Sequence, residues 1–218
     1  MVRRLSFLLF LTLAVTGIAA AQAYSPKSAS IWELSIQTRY SWAQDYTYDH
    51  GATVELDDDI GWGFGFSKYL SENVALGLAF NWRTVYYEAT AIGANDPDLS
   101  ITYGNDLETT AIALTGDYMF GKGRLKPYAT GNLGWVWLNT NITADVDVGC
   151  WYFPYVGYIC AGESYTYGMD AFTGGLGLGL RFDITPTAFL KAGWDHNWTD
   201  LDAMDSNDVL RVDVGFEL

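Results

Sequence analysis

The sequence predicts an all-β chain, an eight-stranded antiparallel up-and-down transmembrane β-barrel, and three observations predict it. Eight segments alternate apolar and polar residues with a period of two, so each strand presents one apolar and one polar face. Long polar connections and short turns alternate between them, the asymmetry of hairpins that emerge on opposite sides of a membrane. Aromatic residues make up 16% of the chain, with 9 Trp, and they gather at the ends of the apolar faces, where a bilayer's two interfaces would lie.

The chain opens with Arg3 and Arg4, an apolar run over residues 5–18, and small residues ending in two A-x-A sites. The run is too short and one-sided to span a membrane, so residues 1–23 read as a signal peptide cleaved after Ala21 or Ala23, with the barrel domain over 24–218. No later stretch offers about twenty consecutive apolar residues without charge, so any crossing must be made by strands.

The first strand sets Trp32, Leu34, Ile36, Thr38, Tyr40 and Trp42 against Glu33, Ser35, Gln37, Arg39 and Ser41. After an Asp-rich loop the second sets Ile60, Trp62, Phe64 and Phe66 against Gly61, Gly63, Gly65 and Ser67. A tight turn over 69–73 leads to the third, with Val74, Leu76, Leu78, Phe80, Trp82 and Tyr86 opposite Ala75, Gly77, Ala79, Asn81 and Arg83. A second long loop carries Asn95, Asp96, Pro97 and Asp98; the fourth strand then alternates Thr110, Ile112, Leu114 and Tyr118 with Thr109, Ala113, Thr115 and Asp117. A short turn over 120–126 precedes the fifth, where Leu133, Trp135 and Trp137 face away from Tyr128, Thr130 and Asn132. The longest loop, 139–169, holds both cysteines. In the sixth strand Phe172, Leu176, Leu178, Leu180 and Phe182 oppose Thr173, Gly175, Gly177, Gly179 and Arg181. A turn over 184–186 follows, and the seventh sets Ala188, Leu190, Ala192, Trp194 and Trp198 against Lys191, Gly193 and Asp195. The last strand has Leu210, Val212, Val214, Phe216 and Leu218 on one face and Arg211, Asp213, Gly215 and Glu217 on the other.

Alternation alone does not say which face is inside, and a soluble barrel of lipocalin type shares it. An eight-stranded interior is only wide enough to be filled by side chains, and glycines with paired charges fit there better than tryptophans. The apolar faces therefore point to lipid, with Trp32, Phe120, Phe182 and Phe216 at one interface and Trp42, Trp62, Trp137, Phe172 and Trp198 at the other.

The stretches DDDIGWGFGFSKYLSENVALGLAFNW, LKPYATGNLGWVW, GGLGLGLRFDITPTAFLKAGW and VLRVDVGFEL carry a resemblance. Over its mature length the chain resembles the small eight-stranded outer-membrane β-barrel family, the OmpA/OmpX/OmpW-like and opacity-like group. That likeness implies an integral protein of the Gram-negative outer membrane, in contact with its lipid and lipopolysaccharide. The terminal strand resembles the signal read by the barrel-assembly machinery, with Leu218 where a final Phe is usual. The cell-wall tethering of two-domain members is not expected.

The net charge of −14 argues against nucleic acid or other polyanions as partners. Asp45, Asp57, Asp58, Asp59, Asp96, Asp98, Asp145, Asp202 and Asp208 make the external side acidic, while Lys122, Arg124 and Lys126 are expected in a periplasmic turn. Neither Asp57, Asp58 and Asp59 nor Asp200, Asp202, Asp205 and Asp208 has EF-hand spacing, so no dedicated metal site and no cofactor is expected, and bridging of the acidic loops to lipopolysaccharide phosphates by divalent cations stands as a hypothesis. Cys150 and Cys160 pass through an oxidising compartment and are expected to form a disulfide that orders one loop, beside an aromatic knob of Trp151, Tyr152, Phe153, Tyr155 and Tyr158. His50 and His196 are the only histidines, and their contexts lack the Ser spacing of lipid A deacylases and the ten strands of barrel proteases, so catalysis is not expected.

The inward charges, Glu33, Asp117, Asp183, Asp195, Asp213 and Glu217 against Arg39, Arg83, Arg181, Lys191 and Arg211, are expected to form a packed ion-pair network with inward glycines making room for the arginines. The expected role is structural or surface-interacting, for a monomer with a filled lumen. A narrow porin-like channel is the alternative reading, and an enzyme acting on lipid A or peptides a distant third.

Overall fold

A computed structural model describes residues 31–48, 51–93, 100–143, 150–153, 157–160, 166–200 and 206–218. The strands are β1 (Trp32–Ser41), β2 (Gln44–Thr47), β3 (Thr53–Leu56), β4 (Asp59–Tyr69), β5 (Val74–Gly93), β6 (Ser100–Met119), β7 (Leu125–Thr143), β8 (Cys150–Phe153), β9 (Gly157–Cys160), β10 (Thr166–Asp183), β11 (Ala188–Thr199) and β12 (Ser206–Glu217). Eight of them close an antiparallel barrel in the order β1, β4, β5, β6, β7, β10, β11, β12 and back to β1. Closure removes every free sheet edge at membrane depth, where an unpaired backbone group would have no water to bond. The terminal residue takes part: the Leu218 amide donates to the Trp32 carbonyl at 2.8 Å.

Three short turns lie at one end. In two of them a hydroxyl does the same work: Ser71 Oγ accepts from the Val74 amide at 3.2 Å, and Thr185 Oγ1 from the Ala188 amide at 2.9 Å. The third, between β6 and β7, uses Gly121 and Gly123 at φ of 81° and 127°, where a side chain would be strained.

The apolar faces point outward as expected, and Ile36, Trp62, Phe64, Leu78, Leu114, Leu133, Leu178 and Phe216 are all exposed there. Trp62, Trp82, Thr110 and Trp137 stand side by side in register across β4–β7, which makes a continuous stretch of aromatic girdle.

The external connections differ from the expected loops. β5 and β6 each run for 20 residues, against 10 for β1. At about 3.3 Å per residue they are roughly 66 Å long, and at a tilt of about 40° they span roughly 50 Å along the axis, well beyond an apolar band about 25 Å tall. The loop expected after the third strand is therefore mostly an extended hairpin, and the 139–169 loop is narrowed by β7 reaching Thr143 and β10 starting at Thr166. Above the band the polarity inverts without a change of phase. Outward positions become Glu88, Thr102, Asp106 and Glu108, while inward ones become Val85, Tyr87, Ala89, Ala91 and Leu107. These pack with Val54, Leu56, Val136, Leu138 and Ala171 into an apolar core of the kind a water-soluble sheet has. Hairpin β2–β3 docks on this extension through β5, and β8–β9 meets the end of β5 at Ile92 and Gly93.

Candidate functional site

The barrel lumen collects the charged residues, in tiers. At the periplasmic end Arg181 of β10 is fully buried, flanked in register by Lys126 on β7 and Lys191 on β11. Three cations side by side would repel. They are held by Asp183 on β10 itself, by Asp117 on β6, and by Glu33 of β1 and Glu217 of β12, which are register partners. Arg181 donates through Nη1 to Glu33 at 2.6 Å, through Nη2 to Glu217 at 2.7 Å and through Nε to Asp183 at 2.6 Å. Lys126 reaches the other Asp183 oxygen at 2.7 Å, and Lys191 reaches Asp117 at 2.8 Å. Tyr69 hydroxyl accepts from Arg181 at 3.1 Å, and the guanidinium carbon lies 3.9 Å from the centre of the Phe189 ring. The guanidinium is thus bonded by Asp183 on its own strand, by Glu33 and Glu217 from β1 and β12, and by the Tyr69 hydroxyl, so its charge is countered on several sides.

Lys126 corrects the sequence reading, which put it in a periplasmic turn. β7 begins at Leu125, whose side chain points out, so period two turns Lys126 inward, where it is buried. Its addition evens the inward acids and bases.

The second tier is looser. Asp195, with no exposure, sits 3.5 Å from Arg211 and 3.6 Å from Arg39, and Arg211 is 3.6 Å from Asp213. These are longer than the roughly 2.7–2.9 Å of a direct charge-assisted hydrogen bond. Arg83 stands higher and donates to Ser41 Oγ at 3.0 Å. The inward glycines make room chiefly for other groups than arginines: a Cβ at Gly179 or Gly193 would meet the Tyr128 ring or hydroxyl, one at Gly215 the Phe189 ring, and one at Gly177 the Asp195 carboxylate. Only Gly61 yields to an arginine, at the Arg83 Cβ.

Above this tier lies a chamber of about 140 Å³ bounded by all eight barrel strands. The sequence reading missed it, because a void is a property of side chains brought together from distant strands.

Outside the lumen, His196 Nδ1 and Asp208 Oδ1 lie 2.8 Å apart on the outer rim, half-exposed. Among the described residues no cluster of three or more His, Cys, Asp or Glu is arranged to hold a metal ion. Cys150 and Cys160 are direct register partners in the β8–β9 hairpin. His50, Asp96, Asp98, Asp145, Asp202, Tyr155 and the expected signal peptide over residues 1–23 lie outside the described residues.

A sequence profile of the outer membrane protein beta-barrel domain matches residues 10–217. The chain belongs to that family. As a member of it, the protein is integral to the outer membrane. None of the curated proteins matches it in sequence. Among solved structures it is similar to the N-terminal barrel of Pseudomonas aeruginosa OprF, at 16% identity, covering 88% of this chain and 98% of that one with a TM-score of 0.51. It is similar also to Neisserial surface protein A, at 12% identity over 88% and 98% with a TM-score of 0.52, and to OprG of P. aeruginosa, at 9% over 88% and 97% with 0.53. These likenesses show the fold that the outer-membrane β-barrel family shares.

Proposed function

We propose that this outer-membrane barrel is a plugged, non-conducting monomer without enzymatic activity. It serves to hold an ordered β-structure outside the cell, where that structure contacts lipopolysaccharide or other surface components. The observation that supports this reading most directly is the Arg181 cluster. A guanidinium with no exposure, bonded to Glu33, Asp183 and Glu217 at 2.6–2.7 Å, ties charges of three strands together in the lower lumen, and a passing ion would have to break that pairing. The extended β5–β6–β7–β10 wall supports the surface role: its apolar core keeps some of the chain rigid beyond the bilayer, which a purely structural barrel does not need. Assembly through the β12 strand by the barrel-assembly machinery is part of the same proposal.

Planar-bilayer recording tests it. The unmodified barrel is expected to give no steady conductance, and Arg181→Ala is expected to open small, noisy currents. Stable, large single-channel steps from the unmodified protein would replace the plug by the narrow-channel reading.

A further inference from the structure

The lipid-facing surface of the barrel carries one basic side chain. Among the described residues of the eight barrel strands, Arg39, Arg83, Lys126, Arg181, Lys191 and Arg211 turn into the lumen, and Lys68 of β4 alone turns out. Period two puts it there, following Ile60, Trp62, Phe64 and Phe66 on the same face. It stands where β4 runs into the short turn toward β5, so its height is that of the periplasmic interface. Its register neighbours are Trp32 on β1 and Leu76 on β5, and Phe66 and Leu70 flank it along its own chain, so the wall around the ammonium is apolar.

Lys68 has no ion pair among the described residues. Its Nζ stands 4.9 Å from the centre of the Trp32 ring, which is stacked on Phe66 with centroids 4.8 Å apart. A cation–π contact orients an ammonium but uses none of its three N–H donors on an acceptor atom. The Trp32 indole N–H likewise has no acceptor among the described residues, whereas Trp135 at the opposite interface donates its own to Asp170 at 2.9 Å. Two anions lie at this end of the barrel, and neither pairs with Lys68. Glu72 in the following turn is 3.8 Å from Lys122, and the terminal residue Leu218 lies on the far side of Trp32, bonded through its amide to the Trp32 carbonyl.

We propose that Lys68 and Trp32 form a site for the headgroup phosphate of an anionic phospholipid in the periplasmic leaflet of the membrane. The ammonium and the indole N–H donate to the phosphate oxygens, and the acyl chains run along the outward face over Phe64, Phe66 and Leu78. Hydrogen bonds to a charged acceptor are the stronger kind, and an apolar wall that keeps water off one side strengthens them further. A zwitterionic headgroup brings an ammonium of its own, which no carboxylate in this wall receives. The site lies outside the lumen, so its failure and the failure of the plugged-barrel proposal are separate results.

The full barrel, refolded in a neutral detergent, is titrated with phosphatidylglycerol and with phosphatidylethanolamine of the same acyl chains, and lipid adducts are measured by native mass spectrometry. A saturable phosphatidylglycerol adduct is expected, held about fivefold more tightly than phosphatidylethanolamine. Lys68→Gln is expected to erase that preference and Lys68→Arg to keep it. Trp32→Phe, which keeps a ring and removes the N–H, is expected to reduce it. Lys122→Gln, at the same end but beside Glu72, is expected to leave it intact. Folding is read from heat-dependent gel mobility, and Lys68→Met takes the place of Lys68→Gln if that variant does not fold. Equal affinity of the unmodified barrel for the two lipids, an unchanged preference in the folded Lys68 or Trp32 variants that remove a donor, or an equal loss in Lys122→Gln overturns the proposal. So does displacement of the lipid by an equal concentration of glycerol phosphate, which would make the occupant a free phosphate.

Discussion

Arg181 shows what a buried charge demands of its surroundings. Removing one partner of a buried pair leaves the others uncompensated, at a cost of about 3–5 kcal/mol. Arg181→Ala takes the shared cation from Glu33, Asp183 and Glu217, leaving Asp183 with Lys126 and Glu33 with the more distant Lys191, so urea unfolding in detergent is expected to lose stability of that order. Exposed Lys122, 3.8 Å from exposed Glu72 in the turns, is the contrast: Lys122→Ala is expected to change stability by under about 1 kcal/mol. Equal losses at the two positions would mean that the lumen is wet enough to screen its charges. Gly179 makes a packing demand instead. A side chain there meets Tyr128, which is 1% exposed and backed by the ion network, so Gly179→Val is expected to destabilise without altering any charge.

Along the long strands one face serves two solvents. Leu178 points outward halfway between Phe172 and Phe182, and Thr102 points outward on the extension above the band. Leu178→Arg is expected to cost about 2–4 kcal/mol in lipid, whereas Thr102→Arg is expected to cost little, because its surroundings are already polar. Comparable costs would move the membrane boundary. The docking of hairpin β2–β3 carries a penalty of its own. Asp45, Glu55 and Glu88 are register partners in sequence across β2, β3 and β5, all exposed on one face. Like charges directly opposite destabilise by about 0.2–1 kcal/mol. Glu55→Gln is expected to slow amide exchange in β3, with the gain shrinking as salt rises; no change at low salt would show that the row is held apart by side-chain conformation.

For the whole molecule, the barrel and its external structure are stabilised by different means. The barrel rests on ladder closure and the lumen network, while the far tip rests on β8–β9, where Cys150 and Cys160 are opposite one another. Directly opposed residues in an antiparallel pair have Cα atoms roughly 4.5–5.5 Å apart, inside the range a disulfide spans. The pair is expected to resist thiol alkylation until reduced, and Cys→Ser at both positions is expected to leave barrel folding intact while loosening the tip. Prompt alkylation of the native protein would remove the staple from this picture.

Period-two alternation carried the eight barrel strands, the closed antiparallel barrel and the outward phase of the apolar faces, because strand geometry ties each side chain's direction to its position in sequence. The same rule held the information on Lys126 and on the inverted run Val85, Tyr87, Ala89 and Ala91. Both were passed over because a turn and a loop were expected from composition there. Which charges meet was decided only by the tertiary structure: Glu33 and Arg181 lie 148 positions apart, and closing the cylinder is what sets them face to face at 2.6 Å. The chamber is of the same kind. Its lining comes from the eight barrel strands and from Tyr46 of β2, and no local pattern in the chain encodes the space left between them.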